Sequence, residues 1–277
     1  MIEIPEAVTI AGQIAATLHG KRIAEVEAAH SPHRWAWYFG DPAAYRARLT
    51  GKTVEGARAV GGMVEARAGD AVLLFGDGAI LRTHEPSEER PRKHQLLIGF
   101  EDGFALSAAV QMYGGVWCFP DGQMDNPYYD AARQNPSPLT DQFDRDYFGQ
   151  IVSSARGNKL SAKGLLATEQ RIPGLGNGTL QDILLAAGIH PKRKVDTLEE
   201  PEEERLFHAV KHTLAEMTRL GGRDTERDLF GNPGGYKTKL SKNTVGGRCP
   251  ECGSVIRKEA YMGGSIYFCP GCQPVCP

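Results

Sequence analysis

Two Cys-x-x-Cys pairs, Cys249/Cys252 and Cys269/Cys272, stand near the end of the chain with sixteen residues between them. Four thiolates at that spacing can close a tetrahedron around one Zn²⁺ without any other ligand, so the expected site is structural rather than catalytic. The intervening Gly253 to Phe268 is long enough for a β-hairpin that the metal staples at its open end. Cations gather around this module: Lys237, Lys239, Lys242, Arg248, Arg257 and Lys258 face only Glu251 and Glu259 between Phe230 and Met262. Such a cluster beside a zinc hairpin is read as a nucleic-acid contact. A second motif, Ile172-Pro173-Gly174-Leu175-Gly176-Asn177-Gly178, joins two predicted helices. Its glycines allow the backbone to approach a ligand closely, and the N–H groups that open the second helix would point at an anion such as phosphate. The two remaining cysteines fall outside the metal set. Cys118 sits in an apolar run and reads as a small buried hydrophobe, and Cys276 lies one residue from an end expected to fray.

The elements that must position these groups are legible in the patterning. A chain of 277 residues can bury a sizeable core, and its length suits two domains and a small module. Residues 1–150 carry 14 Lys/Arg and 20 Asp/Glu, whereas 151–277 carry 18 and 14, so the second half is the expected polyanion surface. No apolar run is long enough to span a membrane, and no basic-then-apolar start marks a secretory signal, so a soluble, cytoplasmic protein is expected. Pro5, Ala7, Ile10, Ala11, Ile14 and Leu18 fall at helical spacing and predict a helix that stops at Gly20. From about Arg22 to Phe119 short β-type runs follow, with Asp-Gly turns at Asp77-Gly78 and Asp102-Gly103, as in a β-sandwich or barrel. Pro136-Ser137-Pro138 reads as a linker. Helices are then expected over Asp144–Ser153, Ala162–Glu169, Thr179–Ala187 and Glu202–Arg219, and a loop without periodicity over 221–245.

Taken in order, three motifs resemble the formamidopyrimidine-DNA glycosylase/endonuclease VIII family of base-excision repair enzymes. They are Glu3-Ile4-Pro5-Glu6, Pro173-Gly174-Leu175-Gly176-Asn177 with Ala187-Gly188-Ile189-His190-Pro191, and the two cysteine knuckles through Gln273. The resemblance spans the chain and is weakest over residues 22–92. It implies an α+β fold in three parts: an N-terminal two-layer β-sandwich with a leading helix (1–137), a helix-two-turns-helix domain (138–232), and a basic loop with a zinc β-hairpin finger (233–277). It implies a monomer that binds double-stranded DNA carrying a damaged base or abasic site in the cleft between domains. In such enzymes the N-terminal amine, usually of proline, attacks the sugar while the adjacent glutamate handles protons. Glu3 matches that glutamate and Glu6 a second acidic residue of the motif.

The usual proline is replaced by Ile2, so the resemblance leaves the nucleophile as the amine of Met1 or, after its removal, of Ile2. Gly264 stands where the finger's phosphate-gripping arginine is expected, with Arg257 or Lys258 on the other strand as replacements. The family's β-domain lysine matches Gly62 in an ungapped reading and Lys93 when an insertion is allowed, the latter being preferred. Gln111, Met112 and Tyr113 match the stretch that fills the gap left by a flipped base, Asn177 matches a phosphate-binding asparagine, and Lys237 and Lys239 are further phosphate contacts. Three functions compete. The first is a DNA glycosylase with or without strand-nicking lyase activity. The second is a catalytically impaired relative that only binds damaged or abasic DNA, and the third is an RNA-associated zinc-ribbon protein.

Overall fold

A computed structural model describes residues 1–274, so Cys276 lies outside the described residues. The chain divides into two compact units, residues 1–130 with 221–235, and 131–220 with 236–277. The expected three-part division differs because the chain returns to the first unit after its longest helix.

In the first unit the predicted leading helix is α1 (Ile4–Leu18). Pro5 sits in its first turn, and Glu3 and Glu6 form a reciprocal capping box at its start. Its apolar face packs on strands β3 (Val54–Val60) and β4 (Met63–Ala68). The other strands are β1 (Ile23–Ala28), β2 (Ala36–Trp37), β5 (Ala71–His84), β6 (Leu96–Phe100) and β7 (Ala105–Pro120), with a short helix α2 (Ala44–Leu49) before β3. The order across the sheet is β1-β6-β7-β5-β4-β3, antiparallel along this path, and β2 adds parallel to β7.

The two expected Asp-Gly turns have different fates. Asp102-Gly103 turns β6 into β7, with Gly103 at φ +83°. Asp77-Gly78 is not a turn between strands: it lies inside β5, where the register steps from Asp77↔Gly114 to Ala79↔Val110. One residue of β5, Gly78, therefore faces three of β7, Gln111, Met112 and Tyr113. This bulge divides the two longest strands into two halves, one paired with β6 and the other with β4. Only glycine fits at position 78, since a Cβ would sit 2.2 Å from the Gln111 carbonyl oxygen. One core, with Ile14, Tyr45, Phe75 and Ala108 fully enclosed, joins α1 and α2 to the sheet. Cys118 belongs to it, as its neighbours in sequence imply, and burial pushes its thiol up to about 11.

The second unit is mainly helical: α4 (Arg145–Ala155), α5 (Ala162–Ala167), α6 (Leu180–Ala187) and α7 (Glu200–Arg219) follow the predicted periodicity. Ahead of them α3 (Pro127–Gln134), which the patterning does not predict, begins in the first unit and ends in the second. A hairpin of β8 (Arg257–Tyr261) and β9 (Gly264–Phe268) completes the unit. The stretch expected as an unperiodic loop is ordered where it joins this unit. Burial alternates from Tyr236 to Leu240, and the Asp182 carboxylate on α6 accepts the backbone N–H groups of Lys239 (2.9 Å) and Leu240 (2.8 Å). Among the described residues no helix is long and apolar enough to cross a membrane.

His190, 3% exposed, packs edge-on against Phe268 with ring centres 4.5 Å apart. Its Nδ1 accepts the Lys192 N–H at 3.1 Å, so Nε2 carries the proton, and Nε2 has no partner among the described groups. Burial pushes its pKa below the ordinary value. The unfolded imidazole gains a proton near pH 6.5 while the folded one does not until lower pH, so stability falls as pH drops below about 6.5. Thermal melts from pH 7.5 to 5.5 should show a shallower loss for His190→Asn than for the wild type. Identical slopes would remove His190 as a source of acid sensitivity.

Candidate functional site

The start of the chain is the chemically richest place in the first unit. The Met1 α-amine is ion-paired with Glu226 Oε2. The Ile2 N–H donates to the Asp77 carbonyl at 2.7 Å, and the Ile2 side chain is buried. This pins the backbone of residues 1 and 2 to the bulge in β5. Burial raises the Asp77 carboxyl above its usual range, opposed by the nearby charge of the N-terminal amine.

Glu3 and Glu6 are buried carboxylates, and one guanidinium serves both. Arg223, 2% exposed, reaches Glu6 through Nε (3.0 Å, to Oε1) and Nη2 (2.8 Å, to Oε2), and Glu3 Oε1 through Nη1 (3.4 Å). Its backbone N–H also donates to Glu6 Oε1 at 3.0 Å, and Nη2 reaches the Met1 carbonyl at 3.3 Å. Burial alone would weaken the charge of Arg223, but the fields of Glu3 and Glu6 outweigh it and hold the guanidinium firmly protonated. Gly222 makes the approach possible: its φ is +94°, and a Cβ there would come within 3.2 Å of Glu6 Oε1. The result is a rigid base on which the N-terminal amine is presented.

Beside that amine lies a cleft of about 160 Å³ whose walls include Met1, Ile2, Glu6, Gln111, Met112 and Glu226. The three-residue bulge pushes Met112 out to 70% exposure at φ +69°, and Tyr113 is tilted against Trp37 with ring centres 5.8 Å apart. Of the expected N-terminal and wedge residues, Met1, Ile2, Glu6, Gln111 and Met112 thus share this cleft, and Glu3 and Tyr113 do not line it. Lys93 is not among them. It is exposed in the loop before β6, next to His94, whose Nε2 lies 3.0 Å from Glu27, and that loop contributes nothing to the cleft. Gly62 lies in the turn from β3 to β4.

In the second unit the four expected cysteines converge. Their sulfurs all lie within 4.8 Å of one another, with Cys249–Cys272 at 3.8 Å and Cys252–Cys269 at 3.3 Å. A zinc ion with Zn–S bonds of about 2.3 Å needs sulfur–sulfur edges of about 3.8 Å, so the donor set fits a structural zinc finger. Gln273, fully buried, accepts the Cys269 N–H (2.9 Å) and donates to the Ile189 carbonyl (2.9 Å), tying the knuckle to the helical part of this unit.

Asn177 is exposed in the loop before α6, and its Nδ2 donates to the Ser265 carbonyl at 3.1 Å. Gln181, one turn later and buried, donates to the Asn177 carbonyl (3.0 Å) and accepts the Tyr267 N–H (3.0 Å), so it locks Asn177 against the hairpin. Lys237 is exposed, and Lys239 is engaged by Glu251 at 2.8 Å. Arg257 pairs with Phe268 and Lys258 with Tyr267 at the knuckle end of the hairpin, away from the Tyr261↔Gly264 tip. At four strand residues from the tip, Arg257 is roughly 13 Å away, too far to stand in for a side chain at Gly264.

Sequence reasoning missed Arg223, Glu226 and Gln181. Only Gln181 carried a signal, a polar residue on the apolar face of α6 four residues after Asn177.

The profile of the formamidopyrimidine-DNA glycosylase N-terminal domain matches residues 1–114. The chain is 30% identical over 281 residues to the formamidopyrimidine-DNA glycosylase of Symbiobacterium thermophilum, covering 99% of this chain and 90% of that protein. It is 31% identical over 288 residues to the enzyme of that name from Nocardioides sp., covering 99% and 95%. Among solved structures, the Lactococcus lactis Fpg in complex with abasic-site DNA matches with a TM-score of 0.84 at 25% identity, covering 99% of this chain and all of that one.

Proposed function

The chain belongs to the formamidopyrimidine-DNA glycosylase family, and from that premise we propose that it is a DNA glycosylase of base-excision repair. It binds duplex DNA carrying a damaged base or abasic site as a monomer and releases a base flipped out of the stack. The observation that carries this reading is the Met1 amine, paired with Glu226 at the edge of the cleft that Gln111 and Met112 help to wall. With Met1 retained, its α-amine is the nucleophile, because the Ile2 nitrogen is then a peptide amide that donates to Asp77.

The chemistry balances with these groups. Glu226 takes one proton from the Met1 ammonium, and the resulting amine attacks C1′ of the deoxyribose. The C1′–base bond breaks with its electron pair leaving on the base, which takes up a second amine proton. The C1′–O4′ bond then opens, the proton held by Glu226 passes to O4′, and the nitrogen remains joined to C1′ as a protonated Schiff base. Glu3, tied to Arg223, fixes the start of α1 beneath the reacting amine, and through the resemblance it is the second carboxylate of the reaction.

Borohydride present during incubation with oxidised-base or abasic duplex should trap a covalent adduct, which peptide mapping places on Met1. Glu226→Gln should slow trapping by about 10²-fold, the scale of a lost general base, and Glu3→Gln should abolish base release. Base release without any adduct would mean that a carboxylate activates water and no lyase step follows. The second reading, damage binding without base removal, is favoured by the hold of Arg223 on both Glu3 and Glu6. Tight binding of abasic duplex with neither base release nor adduct, across oxidised and alkylated substrates, would establish it.

The bulge supplies a separate test. Met112→Ala with Tyr113→Ala should weaken binding to abasic duplex more than to intact duplex, because only the former has a vacated stack to fill. Equal losses would reduce both residues to strand packing.

A further inference from the structure

Away from the cleft and the cysteine cluster, the edge strand of the sheet gathers three groups that no expected role has used. Glu27 lies in β1, His30 just beyond its end, and His94, 67 residues from Glu27, in the loop that leads into β6. One ligating atom from each lies within 4.8 Å of the others.

The backbone is shaped to bring them together. In a regular strand, side chains three residues apart point to opposite faces, yet Glu27 Oε1 and His30 Nδ1 meet at 2.8 Å. Ala29 accounts for this: its φ of +56° is a left-handed conformation that a non-glycine residue keeps only where its surroundings hold it, and it turns His30 back toward Glu27. The loop is pinned to the same place, since the Ser31 N–H donates to the His94 carbonyl at 3.0 Å and the His94 N–H to Ser31 Oγ at 3.2 Å. The two imidazoles stack with ring centres 4.6 Å apart, and each presents a nitrogen to a different oxygen of the one carboxylate.

His94 makes the contact that calls for a cation. Its Nδ1 lies 3.0 Å from the Pro91 carbonyl oxygen, which can only accept, so in the neutral ring Nδ1 holds the proton and Nε2 is a bare lone pair. That lone pair, on a residue 3% exposed, faces Glu27 Oε2 at 3.0 Å. Two acceptors so placed repel unless a proton or a metal ion lies between them. An imidazole oriented by Nδ1–H on a backbone carbonyl, with its other nitrogen aimed at a further ligand, is the arrangement of a metal-binding histidine. Glu27 and His30 are exposed, which gives an ion a way in from solvent.

We propose that Glu27, His30 and His94 hold one divalent transition ion, zinc being the ion their chemistry suits, as a second metal site independent of the four cysteines. Two imidazoles and one carboxylate form a zinc donor set whose fourth position is left to water. Bonds of about 2.0–2.1 Å set ligand-to-ligand edges of about 3.3 Å. The 2.8 and 3.0 Å contacts therefore open only slightly to admit the ion. Bound there, it staples the end of β1 to the loop entering β6, and none of its three ligands walls the cleft beside Met1.

Equilibrium dialysis of the full chain, its four cysteines already supplied with zinc, against zinc chloride tests the site. The wild type should take up one further ion, and its melting temperature should rise with zinc concentration, because an ion bound only by the folded state stabilises it. His30→Ala and Glu27→Gln alter exposed side chains and should melt like the wild type before zinc is added. Each should bind the further ion more than about 100-fold more weakly, beyond the usual loss from a partner outside the coordination sphere. His208→Ala is the control: it disrupts the other stacked histidine pair, His208 and His212 on α7, and should leave the uptake unchanged. No further uptake by the wild type would overturn the proposal and leave a proton between His94 and Glu27. Uptake that survives in both His30→Ala and Glu27→Gln, or that disappears in His208→Ala, would overturn it as well. The comparison is between wild type and variants, so it stands whether or not the cysteines hold zinc and whether or not a base is released.

Discussion

Cys269→Ser is expected to release the metal and, with it, the folded hairpin. Cys269 is fully buried and its sulfur lies 3.3 Å from Cys252, so the loss of one thiolate breaks the tetrahedron and leaves the backbone bond to Gln273 to hold the knuckle. Binding of structural zinc by four ligands is worth about 10–16 kcal/mol in isolated fingers, far more than a two-stranded ribbon of five-residue strands contributes unaided. Metal analysis should give about one zinc per wild-type chain and none for the variant. Hydrogen exchange at β8 and β9 should become fast, and affinity for abasic duplex should fall, while the first unit keeps its protection. A metal-free wild-type protein with a protected hairpin and full DNA affinity would refute the assignment.

Arg223→Met should be the most destabilising single change in the first unit. It leaves the Glu3 and Glu6 carboxylates buried with their shared cation gone, and breaking a buried pair in this way costs about 3–5 kcal/mol. The effect should appear as a lowered denaturant midpoint with an unchanged slope. The triple change Arg223→Met, Glu3→Gln, Glu6→Gln should recover part of the loss, because no charge is then stranded. A loss below about 1 kcal/mol for Arg223→Met would show that solvent or a shifted proton compensates the carboxylates, and would remove Arg223 as the base of the site. Since the same guanidinium contacts the Met1 carbonyl, adduct trapping should fall even under conditions where the variant remains folded.

Much of this protein is written locally. The spacing of Cys249, Cys252, Cys269 and Cys272 determined the metal set, because a knuckle is a tight turn whose geometry its own few residues enforce. Helical periodicity determined α1, α4, α5, α6 and α7, since each must bury one face whatever it packs against. Asp102-Gly103 determined a hairpin for the same reason of local backbone preference. Asp77-Gly78 carries an equally strong signal and became a bulge inside β5, because the choice between turning and bulging depends on what the opposite strand places there, namely three residues from Gln111 to Tyr113. Lys93, the insertion-based match for a DNA-contacting lysine, emerges exposed on the loop before β6 and does not line the cleft, because adjacency to a motif in sequence does not decide on which loop a residue emerges.

The partners that give the site its chemistry were decided by tertiary structure alone. Arg223 is 217 residues from Glu6, and Glu226 is 225 from Met1. Side chains of this kind carry no periodicity, cap or spacing that marks them beforehand. Their positions follow from how the chain's return after α7 closes on α1, and that approach is set by the burial of surfaces drawn from distant segments. The sequence by itself determined which elements form and which cysteines meet. Only the folded chain decided which carboxylate meets the amine and which cation serves the buried glutamates, because electrostatic pairing acts through space between groups that hydrophobic packing has already brought together.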